Sequence, residues 1–335
     1  MTLRIGIDLD GSLESLGNSM NDLANALHET RVCELVRFRT LTPTSDGELS
    51  LGASARLWGP LWKRSLGPSI DKPLRTVQVI HLAGLATPPL KKIPLVISVD
   101  DLRPLRQESR QHVRTVQLQR AVNRGATLVA STRTARNEVI SILDVERSHI
   151  RVVSPAVPLV APTTSGGDLV VNITGMAQRF SELAPTLLKF CESKGVKLVA
   201  VTSTNVQRSL RALGPNIVWY SRADAAKALQ RARVVLHISD GARFPSFAIA
   251  ALSAGVPTVA RATEINRELL SGAASLLNAR DRVDEALESL WSDESRRSLM
   301  IAGGLARSYD FAPSTVARSY LKVYGEVVRG FHNES

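Results

Sequence analysis

Residues 232–239 read Ala232-Arg-Val-Val-Leu-His-Ile-Ser239, and residues 250–260 read Ala250-Ala-Leu-Ser-Ala-Gly-Val-Pro-Thr-Val-Ala260. The first holds an unbroken apolar run, Val234–Ile238, of strand length. The second opens on small helix-forming residues, breaks at Gly255 and Pro257, and re-enters apolar sequence at Thr258–Ala260. Strand, helix and strand in so short a span make a parallel crossover, because two parallel neighbours need a connection that returns to the same end of the sheet.

The same alternation runs through the whole chain. Ahead of this stretch, strands are expected at Arg4–Leu9, Val77–His81, Leu95–Val99, Thr127–Ala130 and Ile150–Val153, then at Leu169–Ile173, Lys197–Val201 and Ile217–Tyr220. Amphipathic helices are expected at Leu13–His28, Arg103–Asn123 and Thr132–Leu143, and two more close the chain at Asp293–Ser308 and Pro313–Arg329. Such alternation implies parallel sheets covered on both faces, an α/β fold. Pro155–Gly167 lacks periodicity and reads as a linker. Two open α/β domains are therefore expected, 1–160 and 161–312, with a cleft between them. Ligands of such sheets bind outside the carboxyl ends of the strands.

The chain has 335 residues, enough for two domains, with 44% apolar residues. Only Cys33 and Cys191 are present, which fits a reducing compartment better than a disulfide scaffold. No apolar stretch spans a membrane and no leader is visible at Met1–Gly6, so a cytoplasmic location is expected, with peripheral contact at the inner face of the membrane as a further expectation. The formal charge is +11, from 42 basic and 31 acidic residues, and each half carries about half of that excess. This favours anionic partners without choosing among them. Aromatic residues are 4% of the chain, too few for base-stacking platforms, so nucleic acid is not an expected partner.

Several segments, in this order and spacing, resemble glycosyltransferase family 4, retaining enzymes of the GT-B fold that use nucleotide sugars. They are Ile93-Pro-Leu-Val-Ile-Ser-Val-Asp-Asp-Leu102, Leu128-Val-Ala-Ser131, Ile150-Arg-Val-Val-Ser-Pro-Ala-Val157, the two stretches quoted above, and Tyr309-Asp-Phe311 through Tyr324. The resemblance implies a GT-B fold of two Rossmann-like domains, a donor site on the second, and 313–335 as a helix crossing back to the first. In the family a Glu-x7-Glu motif follows the donor strand; its first glutamate lies near the sugar and its second holds the ribose. The matching positions are Ala242 and Ala250, which have no side-chain donor or acceptor.

The family's basic pair, which neutralises the donor diphosphate, falls in Gly175-Met-Ala-Gln-Arg-Phe-Ser-Glu182, where only Arg179 is cationic. Its histidine in the first domain is Asp100, a carboxylate that would repel a diphosphate, and its paired early glycines are reduced to Gly17. Four donor contacts are thus altered while the fold-forming segments remain. The resemblance then implies a non-catalytic or repurposed homologue in glycoconjugate or cell-envelope assembly. Its partners would be another glycosyltransferase or an envelope-assembly protein. The alternative is an active enzyme with an altered grip on a nucleotide sugar. Its candidate donor-binding residues are Gly17, Gly175, Arg179, Arg222, Ser239, Arg243, Phe244 and Ser246, with Asp100 as the candidate catalytic group. No metal-ligand spacing occurs, and no cofactor is expected.

Four other signals have competing readings. Ile7-Asp8-Leu9-Asp10-Gly11 resembles the nucleophile motif of haloacid-dehalogenase-type phosphatases, with Asp100-Asp101 as a metal-binding pair; alternatively Asp8 and Asp10 cap the next helix. Trp58-Gly-Pro-Leu-Trp62-Lys-Arg64 reads either as a docking patch for lipid headgroups or a partner, or as a helix packing its tryptophans inward, with Gly59-Pro60 weakening a continuous helix. Arg103, Arg106, Arg110 and Arg114 make a basic stripe if they share one helix. His81 is expected at a strand end, near a ligand, and His237 as a hydrogen-bonded core residue.

Overall fold

A computed structural model describes residues 2–10, 19–51, 54–84, 86–99, 101–162, 166–173, 176–238 and 241–334. The chain divides into two compact units, with the break between Ala156 and Val157 and a return to the first unit at Pro313.

The first unit contains β1 (Leu3–Asp8), α1 (Ser19–Thr30), β2 (Cys33–Phe38), α2 (Ser54–Trp62), β3 (Val79–Leu82), β4 (Leu95–Val99), α3 (Arg103–Arg106), α4 (Glu108–Val122), β5 (Thr127–Ala130), α5 (Arg133–Leu143) and β6 (Ile150–Val152). Its sheet has the order β2-β1-β3-β4-β5-β6, parallel throughout. The second unit contains β7 (Asp168–Asn172), α6 (Ala177–Lys194), β8 (Leu198–Thr202), α7 (Thr204–Ser209), β9 (Ile217–Ser221), α8 (Ala225–Gln230), β10 (Ala232–His237), α9 (Ser246–Ser253), β11 (Thr258–Arg261), α10 (Glu264–Leu270), β12 (Ser275–Leu277), α11 (Val283–Ser292) and α12 (Glu294–Ser308). Its sheet runs β12-β11-β10-β7-β8-β9, again parallel. The last helix, α13 (Pro313–Glu334), belongs to the first unit. No helix among the described residues is long and apolar enough to cross a membrane.

Local signals set the helix ends. The Thr132 hydroxyl accepts the Ala135 N–H at the start of α5, and the Asp293 carboxylate accepts that of Arg296 at the start of α12. α6 stops at Gly195, whose left-handed backbone releases the chain toward β8. Val316, Ala317, Tyr320, Val323 and Tyr324 recur at helical spacing, so one stripe of α13 completes the core formed by β1, β3 and α1. In the second unit Leu169, Val171, Val234, Leu236 and Ile238 alternate along β7 and β10 and pack beneath α6 and α11.

The structure departs from the sequence reading in four places. β2 and β12 were not anticipated; both are edge strands, where half-exposure admits polar residues and blurs the apolar run. The expected helix 103–123 is two helices, because Gln107 is extended (ψ 115°) between α3 and α4. The basic stripe therefore does not form. Arg103 bonds Asp101, Arg106 pairs with Glu138 at 2.7 Å, and Arg114 donates to the Gly84 carbonyl and to Gln117. Conversely α2 runs through Gly59-Pro60 as one helix, since a single proline removes only one internal bond.

Candidate functional site

In the second unit the strand order reverses between β7 and β10, the adjacent pair from which the chain builds outward in both directions. At such a switch point the following helices leave on opposite faces and open a crevice at the carboxyl ends. Ile173, Met176 and the start of α6 lie at one side of it, and His237, Ile238 and the loop entering α9 at the other.

A cavity of about 410 Å³ opens at these ends. Its lining includes Arg179 from the first turn of α6, Leu236 and His237 from β10 and Ile238 just after it, Arg261 at the end of β11, Leu277 at the end of β12, and Asn278 and Asp281 after it. Beside its apolar residues the lining carries two guanidinium groups, Arg179 and Arg261, and one carboxylate, Asp281. Arg179 is tied at 2.9 Å to Glu182 one turn on, with both side chains half-exposed. Asn278 accepts from Arg267 and donates to Asp281. Arg261 and Asn278 escaped the sequence reading. Arg261 directly follows the expected strand Thr258–Ala260, which was the available signal; Asn278 follows the unanticipated edge strand.

Of the remaining candidates, Arg222, Arg243, Phe244 and Ser246 lie among the described residues and do not line this cavity. Arg222 lies in the turn after β9, where the Ser221 hydroxyl accepts the Asp224 N–H. Arg243 is half-buried before α9, and burial lowers its pKa. The Phe244 ring packs edge-on against Phe311, centroids 5.7 Å apart, which makes it a packing residue. Ser246 is the first residue of α9. Gly17, Asp100, Gly175 and Ser239 lie outside the described residues.

The two positions matching the family's glutamates are enclosed. Ala242 is 3% exposed and Ala250 0% exposed, within a helix whose residues Phe247–Ser253 are all buried. The loop leading there is held by Gly241, at φ +70°, where an added Cβ would come within 2.8 Å of the Thr263 Cβ. Only glycine fits that contact and that backbone.

The expectation for His81 is overturned, and that for His237 holds for its burial but not for its hydrogen bonding. His81 is fully buried in β3, with Nδ1 2.7 Å from the Tyr324 hydroxyl and Nε2 2.9 Å from that of Ser98; burial pushes its pKa down to about 3. It is a core polar junction because α13 supplies the tyrosine, a partner 243 positions away that strand reading cannot supply. His237 is also buried, but neither ring nitrogen has a hydrogen-bond partner among the described residues. Its pKa falls to about 4, so it stays neutral. It sits opposite Asn172 and Ala260 in the sheet, between Leu236 and Ile238, and lines the same cavity as Arg179.

The paired aspartates of the first unit have a different task from either expected one. Asp8 accepts the N–H groups of Asp10 and Thr40 and the Thr40 hydroxyl, and Asp10 accepts from Leu41 and from the N–H and hydroxyl of Thr42. They pin the turn after β2 rather than cap α1. Burial and the neighbouring Asp10 raise Asp8 to about 7. A phosphatase nucleophile needs an accessible carboxylate, and Asp8 is buried with both oxygens engaged. Asp101 is spent on Arg103, and β3 separates β4 from β1.

No family model matches the chain, and no curated protein sequence matches it. Solved structures do. Sucrose-phosphate synthase from Thermosynechococcus elongatus superposes with a TM-score of 0.69 at 13% identity, over 98% of this chain and 100% of that one. Anabaena HepE in complex with UDP and glucose gives 0.66 at 15%, over 97% and 100%. WaaG, a glycosyltransferase involved in lipopolysaccharide biosynthesis, gives 0.67 at 11%, over 96% and 99%. The fold is GT-B. At these identities the likeness establishes the GT-B fold, with its two parallel six-stranded sheets, and leaves the chemistry to the residues of the site.

Proposed function

We propose that this protein is a glycosyltransferase homologue of the GT-B fold whose donor site does not support conventional transfer from a nucleotide sugar. It would serve as a non-catalytic binding partner in glycoconjugate or cell-envelope assembly. The observation that carries this reading is the enclosure of Ala242 and Ala250. A ribose or sugar hydroxyl there would meet buried methyl groups in place of carboxylates. Each lost charge-assisted hydrogen bond removes about 1.5–3 kcal/mol. The remaining cation near α6, Arg179, is half neutralised by Glu182. Likeness to WaaG, a glycosyltransferase involved in lipopolysaccharide biosynthesis, supports the setting. The cytoplasm is the proposed compartment, and two free cysteines fit it.

A second reading rests on the cavity between α6 and β12. Arg179 and Arg261 flank it, and together they offer the positive charge a diphosphate requires. In that case the protein is an enzyme that grips its donor away from the family's acidic positions. The test is release of nucleoside diphosphate from UDP-, GDP- and ADP-sugars, with and without added glycan or lipid acceptors. The first reading expects release no faster than without protein. Turnover that Arg179→Ala and Arg261→Ala together abolish would establish the second.

A further inference from the structure

We infer that the outer face of α12 joins two copies of this chain, helix against helix and antiparallel. The inference uses residues of the second unit alone and is independent of the donor-site reading. Packing fixes the inner side of α12. Gly304 and Ser308 are buried there, and a Cβ added to Gly304 would lie 3.0 Å from the Leu252 side chain of α9. Across the helix from them Leu299, Ala302 and Ala306 are exposed, and Tyr309 follows in a 3-10 turn, Tyr309–Phe311, that continues the helix. Steps of three, four and three residues put all four on one side, the spacing of a heptad seam. Leu299 at 75% and Tyr309 at 64% are, with Leu57, the three most exposed large apolar side chains among the described residues.

The stripe reads large, small, small, large, so it is its own complement when turned end for end. In an antiparallel pair Leu299 of each copy meets Tyr309 of the other. Ala302 then meets Ala306 near the axis, where short side chains let the two helices approach closely. The flanking charges agree with that direction. Arg296 and Asp310 lie on the same flank of the stripe, directly after Ser295 and Tyr309. That heptad position faces its own counterpart across an antiparallel seam, and charges there set orientation. Reversal therefore brings Arg296 of each copy to Asp310 of the other, at both ends. A parallel pair would set Arg296 against Arg296. Both groups are exposed: Arg296 donates to the Ser289 hydroxyl at 2.6 Å, and Asp310 holds Arg307 at 2.6 Å.

A second copy is the occupant that answers both features, because one two-fold rotation makes every contact twice. An anionic surface would attract Arg296 and repel Asp310, so it gains nothing from this flank. A seam of one helix on one helix is a small interface, and association at roughly 10–100 μM is expected of it.

The test is sedimentation velocity of the full chain from roughly 1 to 200 μM, a range that brackets a weak dimer. A reversible monomer–dimer equilibrium is expected. Leu299→Ser with Tyr309→Ser should weaken it about tenfold or more. Arg296→Asp and Asp310→Arg should each weaken it about threefold or more. The two combined should return it to within about twofold of the native chain, since the facing charges are again unlike. Loss of folding cannot produce that rescue. A chain that stays monomeric throughout the range overturns the inference, as does a dimer indifferent to the serine pair or a charge swap that restores nothing. So does partition onto phosphatidylglycerol vesicles that the serine pair abolishes while the chain stays monomeric, since the face would then meet lipid.

Discussion

The imidazole Nδ1 of His81 and the hydroxyl of Tyr324 lie 2.7 Å apart, joining β3 to the final helix. Both side chains are buried, and Ser98 occupies the other ring nitrogen. The last helix is therefore fastened to the first sheet by a polar contact as well as by its apolar stripe. Replacing Tyr324 with Phe keeps the ring and strands one imidazole nitrogen in the core. Chemical denaturation should show a loss of about 1–3 kcal/mol at pH 7. No measurable loss would mean that the junction is not formed in solution.

The same histidine fixes a pH dependence. His81, at about 3, and His237, at about 4, sit below the ordinary histidine value of 6.5 in the folded chain. The unfolded chain then binds more protons between these values, so stability falls as pH drops from 6.5 toward 4. Asp8 acts in the opposite direction. Its folded value of about 7 exceeds the ordinary 3.8, so the folded chain binds the extra proton and stability falls as pH rises from about 4 to 7. Asp8→Asn keeps the acceptor for the Asp10 and Thr40 N–H groups without the charge. Urea titrations should find it more stable than the native chain by roughly 1–3 kcal/mol at pH 8 and nearly equal at pH 5. A variant less stable at pH 8 than at pH 5, relative to the native chain, would contradict the assignment.

Gly241 controls the loop that enters α9. Gly241→Ala meets both an unfavourable φ and the Thr263 side chain. A fall in melting temperature corresponding to about 1–3 kcal/mol is expected. Gly195→Ala is the comparison, since its added Cβ meets nothing within 4 Å and only the φ +65° term remains; its loss should be the smaller.

Restoring the family's acidic pair should fail for a physical reason. Ala250→Glu places a carboxylate inside a helix whose neighbours are buried on every side. Burying an unpaired charge costs several kcal/mol. Ala242→Glu with Ala250→Glu should therefore lower the unfolding midpoint sharply and confer no affinity for a nucleotide sugar. A stable double variant that binds one would show that the pocket needs only its carboxylates.

Much of the fold was legible because central parallel strands are long apolar runs. Leu95–Val99 and Thr127–Ala130 begin and end where expected. What escaped were elements whose definition is not local. Cys33–Phe38 and Ser275–Leu277 are edge strands, recognisable only through the neighbours they pair with. The break at Gln107 depends on backbone geometry between two helices that share one polar pattern. Arg179 and the end of β10 do meet at the switch point, whereas Phe244 is claimed by Phe311, a contact that only tertiary structure reveals. Arg261 was missed by one residue at a strand end, the kind of boundary that sequence pattern fixes least well.

The most direct test of the donor-site account is calorimetric titration of the purified chain, at low salt, with UDP, GDP and ADP and their glucose and mannose conjugates. The account predicts no saturable binding at micromolar concentration, because two carboxylate positions are buried alanines and Arg179 is shared with Glu182. Saturable micromolar binding of any one of them, lost in Arg179→Ala with Arg261→Ala, would contradict it and establish the cavity between α6 and β12 as a working donor site.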